Sequence, residues 1–478
     1  MRRLPRRGAA LTLGVVVALA LLPAPAADAS GAASSITVWG RGFGHGRGLS
    51  QWGARGLAST GSSWQAILAH YYRGTALARR PPGERIRVLV ESSPAVVATS
   101  ARRFTIRWRD GRMIGLNDSS RRFVRVRYAG GRYRVDKGTT PWGPWRAMTH
   151  GKMPVVFVRG ASPIEIVSSS GSSRAYRQTI EVRRRGSRID AINHVPLEEY
   201  LMGVVPREMP STWPANALRA QAVAARSYAV AVMERWRDRS YHICDTTACQ
   251  VYGGLATRRA QGSKPVTAER GSTTAAVLGT ARLVVTHAGR TVLAEYSSSS
   301  GGRTANGGRP YLRSVDDPSD RISPHHRWSV RLDSGRIERE WPSVGRLRSV
   351  VVRGRDGGGP WGGRVRSVRI TGTRGRVDVP GGTFASRMNL RSRLYAIAPP
   401  PAAGYRFTTD MGIGATGRAV RELQHRLHRA GAYPAGKVTG TFGPLTRDAL
   451  RRYQRSRGIR PTGYLGPQTR AKLNAEAR

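Results

Sequence analysis

Between Arg85 and Val182 apolar and polar residues alternate with a period of two, as in Ile86-Arg87-Val88-Leu89-Val90, Phe104-Thr105-Ile106-Arg107-Trp108 and Phe123-Val124-Arg125-Val126-Arg127-Tyr128. Successive side chains of a strand point to opposite faces, so these runs predict antiparallel strands with one buried face. Asp110-Gly111 and Gly130-Gly131 interrupt them where hairpins turn. Most outward positions carry Arg, which discourages pairing between sheet edges. The period then changes. Ser63 to Tyr72 predicts a short helix, and Ala217 to Glu234 a long one, with Thr212 as candidate cap and Pro214 in its first turn. So many Ala residues predict a central helix, because small side chains let neighbours pack closely. Strand-like runs return at Leu283–Val285, Ser349–Val352 and Val365–Ile370. The fold class expected is α+β: a strand-rich domain around an Ala-rich core helix.

Ala398-Pro399-Pro400-Pro401-Ala402-Ala403-Gly404 reads as a stiff linker. Beyond it Thr439-Gly440-Thr441-Phe442-Gly443-Pro444-Leu445-Thr446 and Thr462-Gly463-Tyr464-Leu465-Gly466-Pro467-Gln468-Thr469 repeat one another. Each sets a Gly turn and a Pro before a helix, and Val420, Leu423 and Leu427 carry helical apolar spacing. A small all-α module is expected. The predicted organisation is 1–29 signal peptide, 30–397 main domain, 398–407 linker and 408–478 helical module.

Charge and cysteine usage narrow the setting. Eighty Lys plus Arg against 29 Asp plus Glu give +51, and all but five of the basic residues are Arg. An Arg excess so lopsided supports an acidic partner only weakly. Arg2, Arg3, Arg6 and Arg7, the apolar run Leu11 to Leu22 and Ala27-Asp28-Ala29 form the three regions of a secretory signal, and the apolar run is short for a membrane span. The expectation is a secreted, wall-associated chain without a transmembrane anchor after cleavage. Outside the cell, nucleic acid is not an expected partner, and no basic-aromatic repeat argues for it. Acidic wall polymers are.

Three carboxylates stand in Val195 to Pro210. Glu198 and Glu199 open a helix begun by Pro196, where acidic side chains suit the positive end of the helix dipole. Glu208 falls among Val204, Val205, Met209 and Pro210, in an expected turn between two helices. An apolar setting raises a carboxyl pKa and suits a general acid, unless Arg207 pairs with it. Gly42-Phe43-Gly44-His45-Gly46-Arg47-Gly48-Leu49-Ser50-Gln51-Trp52-Gly53-Ala54 is the other unusual stretch; its His45, Ser50 and Gln51 are hydrogen-bonding groups suited to sugar hydroxyls. It lacks the strand–helix context of a dinucleotide fingerprint. Cys244 and Cys249, the only cysteines, read most simply as one disulfide in an exported chain. Asp316, Asp317, His325 and His326 read as a polar loop supporting a cleft, since they lack metal-ligand spacing.

The C-terminal repeat resembles the peptidoglycan-binding-like domain of wall enzymes. Tyr200 to Pro210, Ala220 to Tyr228, Cys249-Gln250-Val251-Tyr252, Tyr296 to Thr304 and Tyr311 to Trp328 resemble the stage II sporulation protein D / LytB family. That resemblance implies a peptidoglycan lytic transglycosylase, cleaving the MurNAc-GlcNAc bond to a 1,6-anhydro product with Glu208 as the acid/base. It further implies substrate contacts from His45, Ser50, Gln51, Gln221, Ser227, Tyr228, Ser299 and Ser300. No cofactor is required, although the resemblance admits a structural zinc on His242, Cys244 and Cys249. Disulfide and zinc both remain open. The Gly-rich motif usually closes the domain in that family and opens it here, while Gly381 to Ser392 resembles the segment that normally precedes it; the order reads as a circular permutation. A competing reading is a noncatalytic, glycan-binding modifier of a cell-wall amidase. A plain wall-adhesion protein leaves Glu208 and the Gly-rich loop without a purpose.

Overall fold

The computed structural model describes residues 35–102, 104–116, 123–397, 405–434 and 437–476. The signal sequence and most of the Pro-rich linker lie outside them. No helix among the described residues is long and apolar enough to cross a membrane.

The alternating runs build two large sheets. One has seven strands in the order Ile243–Cys244, Arg85–Ser93, Arg188–Pro196, Thr179–Arg185, Val155–Arg159, Phe104–Trp108 and Met113–Leu116; only the first pair is parallel. The other has eight, with Phe123–Ala129, Ala95–Thr99 and Ile164–Val167 near its centre. Ile106, Phe157, Ile180 and Val182 of the first sheet share one apolar core with Val96, Val124, Val126 and Ile166 of the second. Alternation placed these residues inward and their Arg neighbours outward.

Four helices frame the region below the sheets: α1 (Gln51–Ser59), α2 (Trp64–Tyr71), α3 (Leu197–Glu208) and α4 (Ala215–Arg235). The Ala-rich helix is central, with Ala220, Ala222, Val223, Ala224 and Ala225 buried. It also buries Arg226 completely. That guanidinium donates to both Glu198 oxygens, at 3.0 and 2.6 Å, and to the carbonyls of Val277 and Leu283. Glu198 is therefore an ion-pair partner for the core helix and more than a helix-start charge. Breaking such a pair from one side costs about 3–5 kcal/mol, because the other charge is left buried alone.

One expectation needs correction here, and one open alternative closes. Glu208 ends α3 and does not lie in a turn: Pro206 is accommodated inside the last helical turn, and the Met209 N–H still reaches the Val205 carbonyl at 3.0 Å. Arg207 forms no ion pair with it; the Arg207 side chain lies against Gly253 instead.

The start of the chain is woven into the later part. Ser35–Gly40 pairs antiparallel with Trp328–Asp333 and with Tyr395–Ala396, over an apolar cluster containing Val38, Leu347, Ile370 and Phe384. Leu49–Ser50 runs parallel to Tyr296–Ser297.

The C-terminal module packs helices Arg418–Arg429, Pro444–Ser456 and Pro467–Ala475 around Leu423, Phe442, Leu450 and Leu465. Its repeat has a shared internal device. The Gln424 amide accepts from Gly440 N–H and donates to Thr441 O and Thr446 Oγ1; the Gln454 amide does the same with Gly463, Tyr464 and Thr469. A buried Gln on the preceding helix thus ties each Thr-Gly turn to the start of the next, and φ near +80° at Gly440 and +74° at Gly463 explains the glycines.

Candidate active site

Glu208 sits half-buried at the C-terminal end of α3. Its Oε2 accepts from Gln51 Nε2 at 3.3 Å and its Oε1 from the Val251 N–H at 3.3 Å. Desolvation pushes its pKa up, opposed by these two donors and by the Tyr296 hydroxyl. All the groups acting on it are neutral. A polar shell extends outward: Gln250 Nε2 donates to the Tyr296 hydroxyl at 2.9 Å and to the Ala225 carbonyl, and Gln250 Oε1 accepts from Tyr200 at 3.2 Å. Gln51 Nε2 also approaches Gln221 Oε1 at 3.5 Å, while the buried Gln221 Nε2 has no partner. The site is one carboxyl held protonatable by burial, with weak donors to receive its charge when the proton leaves.

Gln51 arrives there because the Gly-rich segment folds tightly. Ser50 caps α1, accepting from the Gly53 N–H, so Gln51 occupies the first helical position. A Cβ on Gly53 would collide with the Tyr71 hydroxyl and the Asp317 carboxylate, which fixes glycine at that position. Beneath the motif lie two carboxylates. Asp320 is fully buried and accepts from Ser50 Oγ, Ser299 Oγ, the Ser300 and Gly301 N–H groups, and a ring nitrogen of His326. Asp317 accepts from Tyr71 and Ser300 Oγ, and burial pushes it up to about 6.

These partners revise the expected substrate contacts. Ser50, Ser299 and Ser300 are buried, with hydroxyls committed to Asp317 and Asp320, so they brace the loop and do not face a ligand. Ser227 is also buried; it donates to the Val223 carbonyl and accepts from the Val285 N–H. Gln51 and Gln221 do meet beside Glu208. His45 forms no hydrogen bond with Glu208: its Nδ1 accepts the Arg47 N–H, and burial beside Arg47 lowers its pKa to about 4. Tyr228 is half-buried, edge-on to Tyr296 with ring centroids 6.4 Å apart. Next to it Arg47 clasps Glu295 with two bonds of 2.7 and 2.6 Å.

Cys244 and Cys249 form a disulfide, with Cα atoms 5.6 Å apart. Their sulfurs are therefore spent on each other, and His242 Nδ1 accepts the Arg87 N–H at 3.1 Å. Burial and the neighbouring Arg87 lower the His242 pKa to about 4. This trio does not fit zinc, and no group of three metal-ligating side chains occurs among the described residues. The disulfide loop has another consequence: Gln250 and Val251 follow it directly and supply two parts of the Glu208 shell. Residue reading missed Gln250, Val251, Tyr200 and Tyr296 as site groups, although all lie in the stretches that carried the family resemblance.

Fold and site together define a two-part protein, a strand-rich α+β domain presenting one desolvated carboxyl, followed by an all-α module. Comparison with known proteins agrees. Residues 185–287 match the stage II sporulation protein family, and residues 416–473 match a peptidoglycan binding domain. Stage II sporulation protein D of Bacillus subtilis is 33% identical over 147 residues, covering 29% of this chain and 43% of that protein. The amidase enhancer of the same organism is 34% identical over 144 residues, 29% of this chain and 17% of that protein. The spore cortex-lytic enzyme of Halalkalibacterium halodurans is 47% identical over 60 residues, 13% of this chain and 18% of that protein. The chain thus spans less than half the length of each of these relatives. Residues 185–287 are thus similar to the stage II sporulation proteins, and residues 416–473 to peptidoglycan-binding domains.

Proposed function

We propose that this chain is an exported peptidoglycan lytic transglycosylase in which Glu208 is the acid and then the base. The observation that carries the reading is the isolation of Glu208: a carboxyl raised by desolvation, contacted by Gln51, Val251 and Tyr296 and by no charged group. A glycosidase that uses water or a covalent intermediate needs two carboxylates, about 5–5.5 or 6.5–9.5 Å apart. The other nearby carboxyls are engaged elsewhere, Glu295 with Arg47 and Asp317 and Asp320 beneath the loop. Intramolecular transfer needs only one. The Glu208 proton passes to the glycosidic oxygen as the C1–O bond to GlcNAc breaks. The Glu208 carboxylate then takes the proton of the MurNAc C6 hydroxyl as O6 bonds to C1, leaving a 1,6-anhydro end. Atoms balance without water, and the Gln51 and Val251 donors stabilise the carboxylate between the two transfers.

The C-terminal domain serves as a tether to the wall, raising local substrate concentration without entering the chemistry. The likeness to an amidase enhancer supports a second reading, in which the same cleft holds glycan and modifies a wall amidase without cleaving. Incubating the mature protein with purified peptidoglycan and analysing the products by mass spectrometry separates them. Anhydro-sugar release is expected; intact glycan with a stimulated amidase favours the second reading.

A further inference from the structure

The segments that carry Gln51 and Glu208 each supply a tryptophan as well. Trp52 follows Gln51 in α1, and Trp213 follows Glu208 by five residues, in the segment joining α3 to α4. Their rings meet with centroids 4.8 Å apart and planes at 59°. Arg55, one turn along α1, places its guanidinium 4.9 Å from the Trp52 ring and 5.3 Å from the Trp213 ring. No carboxylate pairs with Arg55 among the described residues, and all three side chains are half-buried. Segments more than 150 residues apart thus converge on two partly exposed indoles and a cation without a carboxylate partner, on the same stretches of chain that bring Gln51 to Glu208.

We infer that Trp52, Trp213 and Arg55 form a saccharide subsite that holds one N-acetylated sugar next to the bond presented to Glu208. A pyranose has an apolar C–H face and a rim of hydroxyl and amide oxygens. The tilted indoles offer rigid apolar surface to the first, and Arg55 offers N–H donors to the second. Arg55 also stacks on the rings, so it fixes their orientation before the sugar arrives. The packing of Trp52 and Trp213 is fixed by the fold; the free charge of Arg55 over them is what the fold alone does not require. This inference deepens the proposed function and rests on it for the identity of the sugar polymer.

The test reads binding rather than turnover. The full chain carrying Glu208→Gln is labelled with fluorotryptophan and titrated with tetra-N-acetylchitotetraose. The resonances of Trp52 and Trp213 are expected to shift, while that of Trp142, 65% exposed, stays in place. Trp213→Ala should weaken the affinity by about tenfold, the loss expected for some 50 Å² of apolar contact, and Trp213→Phe by less. Arg55→Ala should weaken it without changing the fold. Unshifted Trp52 and Trp213 resonances, or parental affinity in Trp213→Phe and Arg55→Ala together, overturn the subsite. Should Trp213→Ala fail to fold, the resonances of the Glu208→Gln chain decide alone. Loss of the proposed reaction shows separately, as absence of anhydro product from the parent with the titration unchanged.

Discussion

Glu208→Gln keeps the length and nearly the volume of the side chain and removes its titrating proton. Loss of a general acid costs about 10²–10⁴-fold in rate, or roughly 2.7–5.5 kcal/mol on the barrier. No neighbouring carboxyl stands free to take over, since Glu295 is bound to Arg47 and Asp317 and Asp320 lie under the Gly-rich loop, so a fall of at least ~10²-fold is expected. Stability should move the other way. The folded-state pKa of Glu208 is raised from 4.5 by desolvation, so folding favours its protonated form. Its stabilising share is full below the unfolded value and is lost as pH rises through the folded one. As pH rises through the folded-state value the parent acquires a buried carboxylate that the variant lacks. Glu208→Gln should therefore be at least as stable as the parent at pH 7, and the difference should close in acid. The amide can be accommodated. Its oxygen takes the Val251 N–H; its NH₂ then faces Gln51, whose amide rotates to accept; and Gln221 rotates to offer the Nε2 that has no partner in the parent. Mass spectrometry of anhydro products and thermal melts at pH 5 and 7 measure both halves. Parental product yield refutes the acid/base role, and marked destabilisation at pH 7 refutes the neutral-shell account.

Replacing both cysteines of the Cys244–Cys249 disulfide by Ser should cost roughly 2 kcal/mol by the chain-entropy estimate for so short a loop, and should lower turnover more than glycan binding, because Val251 loses its fixed place against Glu208. Unchanged turnover in the double variant counts against that positioning role. Asp317, pushed up to about 6, stabilises the fold when protonated; its share is full below about pH 3.8 and is lost as pH rises through 6. Asp317→Asn should flatten that part of the stability profile in denaturant melts, and an unaltered slope contradicts the assignment. Ending the chain at Ala402 should leave cleavage of soluble glycan intact and weaken pelleting with insoluble wall; loss of both would place the helical module within the active domain.

The parts of this molecule legible from the sequence are those with local causes. Alternation set the strands of the two sheets, and the spacing of Thr, Gly and Pro set the turns of the C-terminal module. Gln51 was identifiable as a polar residue in a glycine-rich run, and it reaches the acid. Ser50, Ser299 and Ser300 looked equally suited to sugar hydroxyls. Their role depends on Asp320, which binds all three residues from 20 to 270 positions away, and nothing local announces that pairing. The Val251 contribution is a backbone N–H and leaves no mark in residue identity at all. Glu208, close before Pro210, was expected in a turn; tertiary packing of Leu201, Val204 and Val205 holds the helix through Pro206 to Glu208 itself.

The Gly-rich motif is held by segments from the far end of the domain and from its middle. The Arg41 N–H donates to the Leu394 carbonyl and the Gly44 N–H to Arg391, both at 2.8 Å, while Ser392 Oγ donates to the Arg41 carbonyl. The motif at the start of the domain therefore lies beside residues 391–394 at its end. On its other side, Leu49–Ser50 pairs with Tyr296–Ser297, which puts Gln51 and Tyr296 on the same carboxyl. Gln51 reaches Glu208 across 157 residues of chain, in a segment held by both pairings. A chain ending before Arg391 lacks the partners of Arg41 and Gly44, and the Gln51 donor is expected to lose its fixed place beside Glu208, read as reduced turnover.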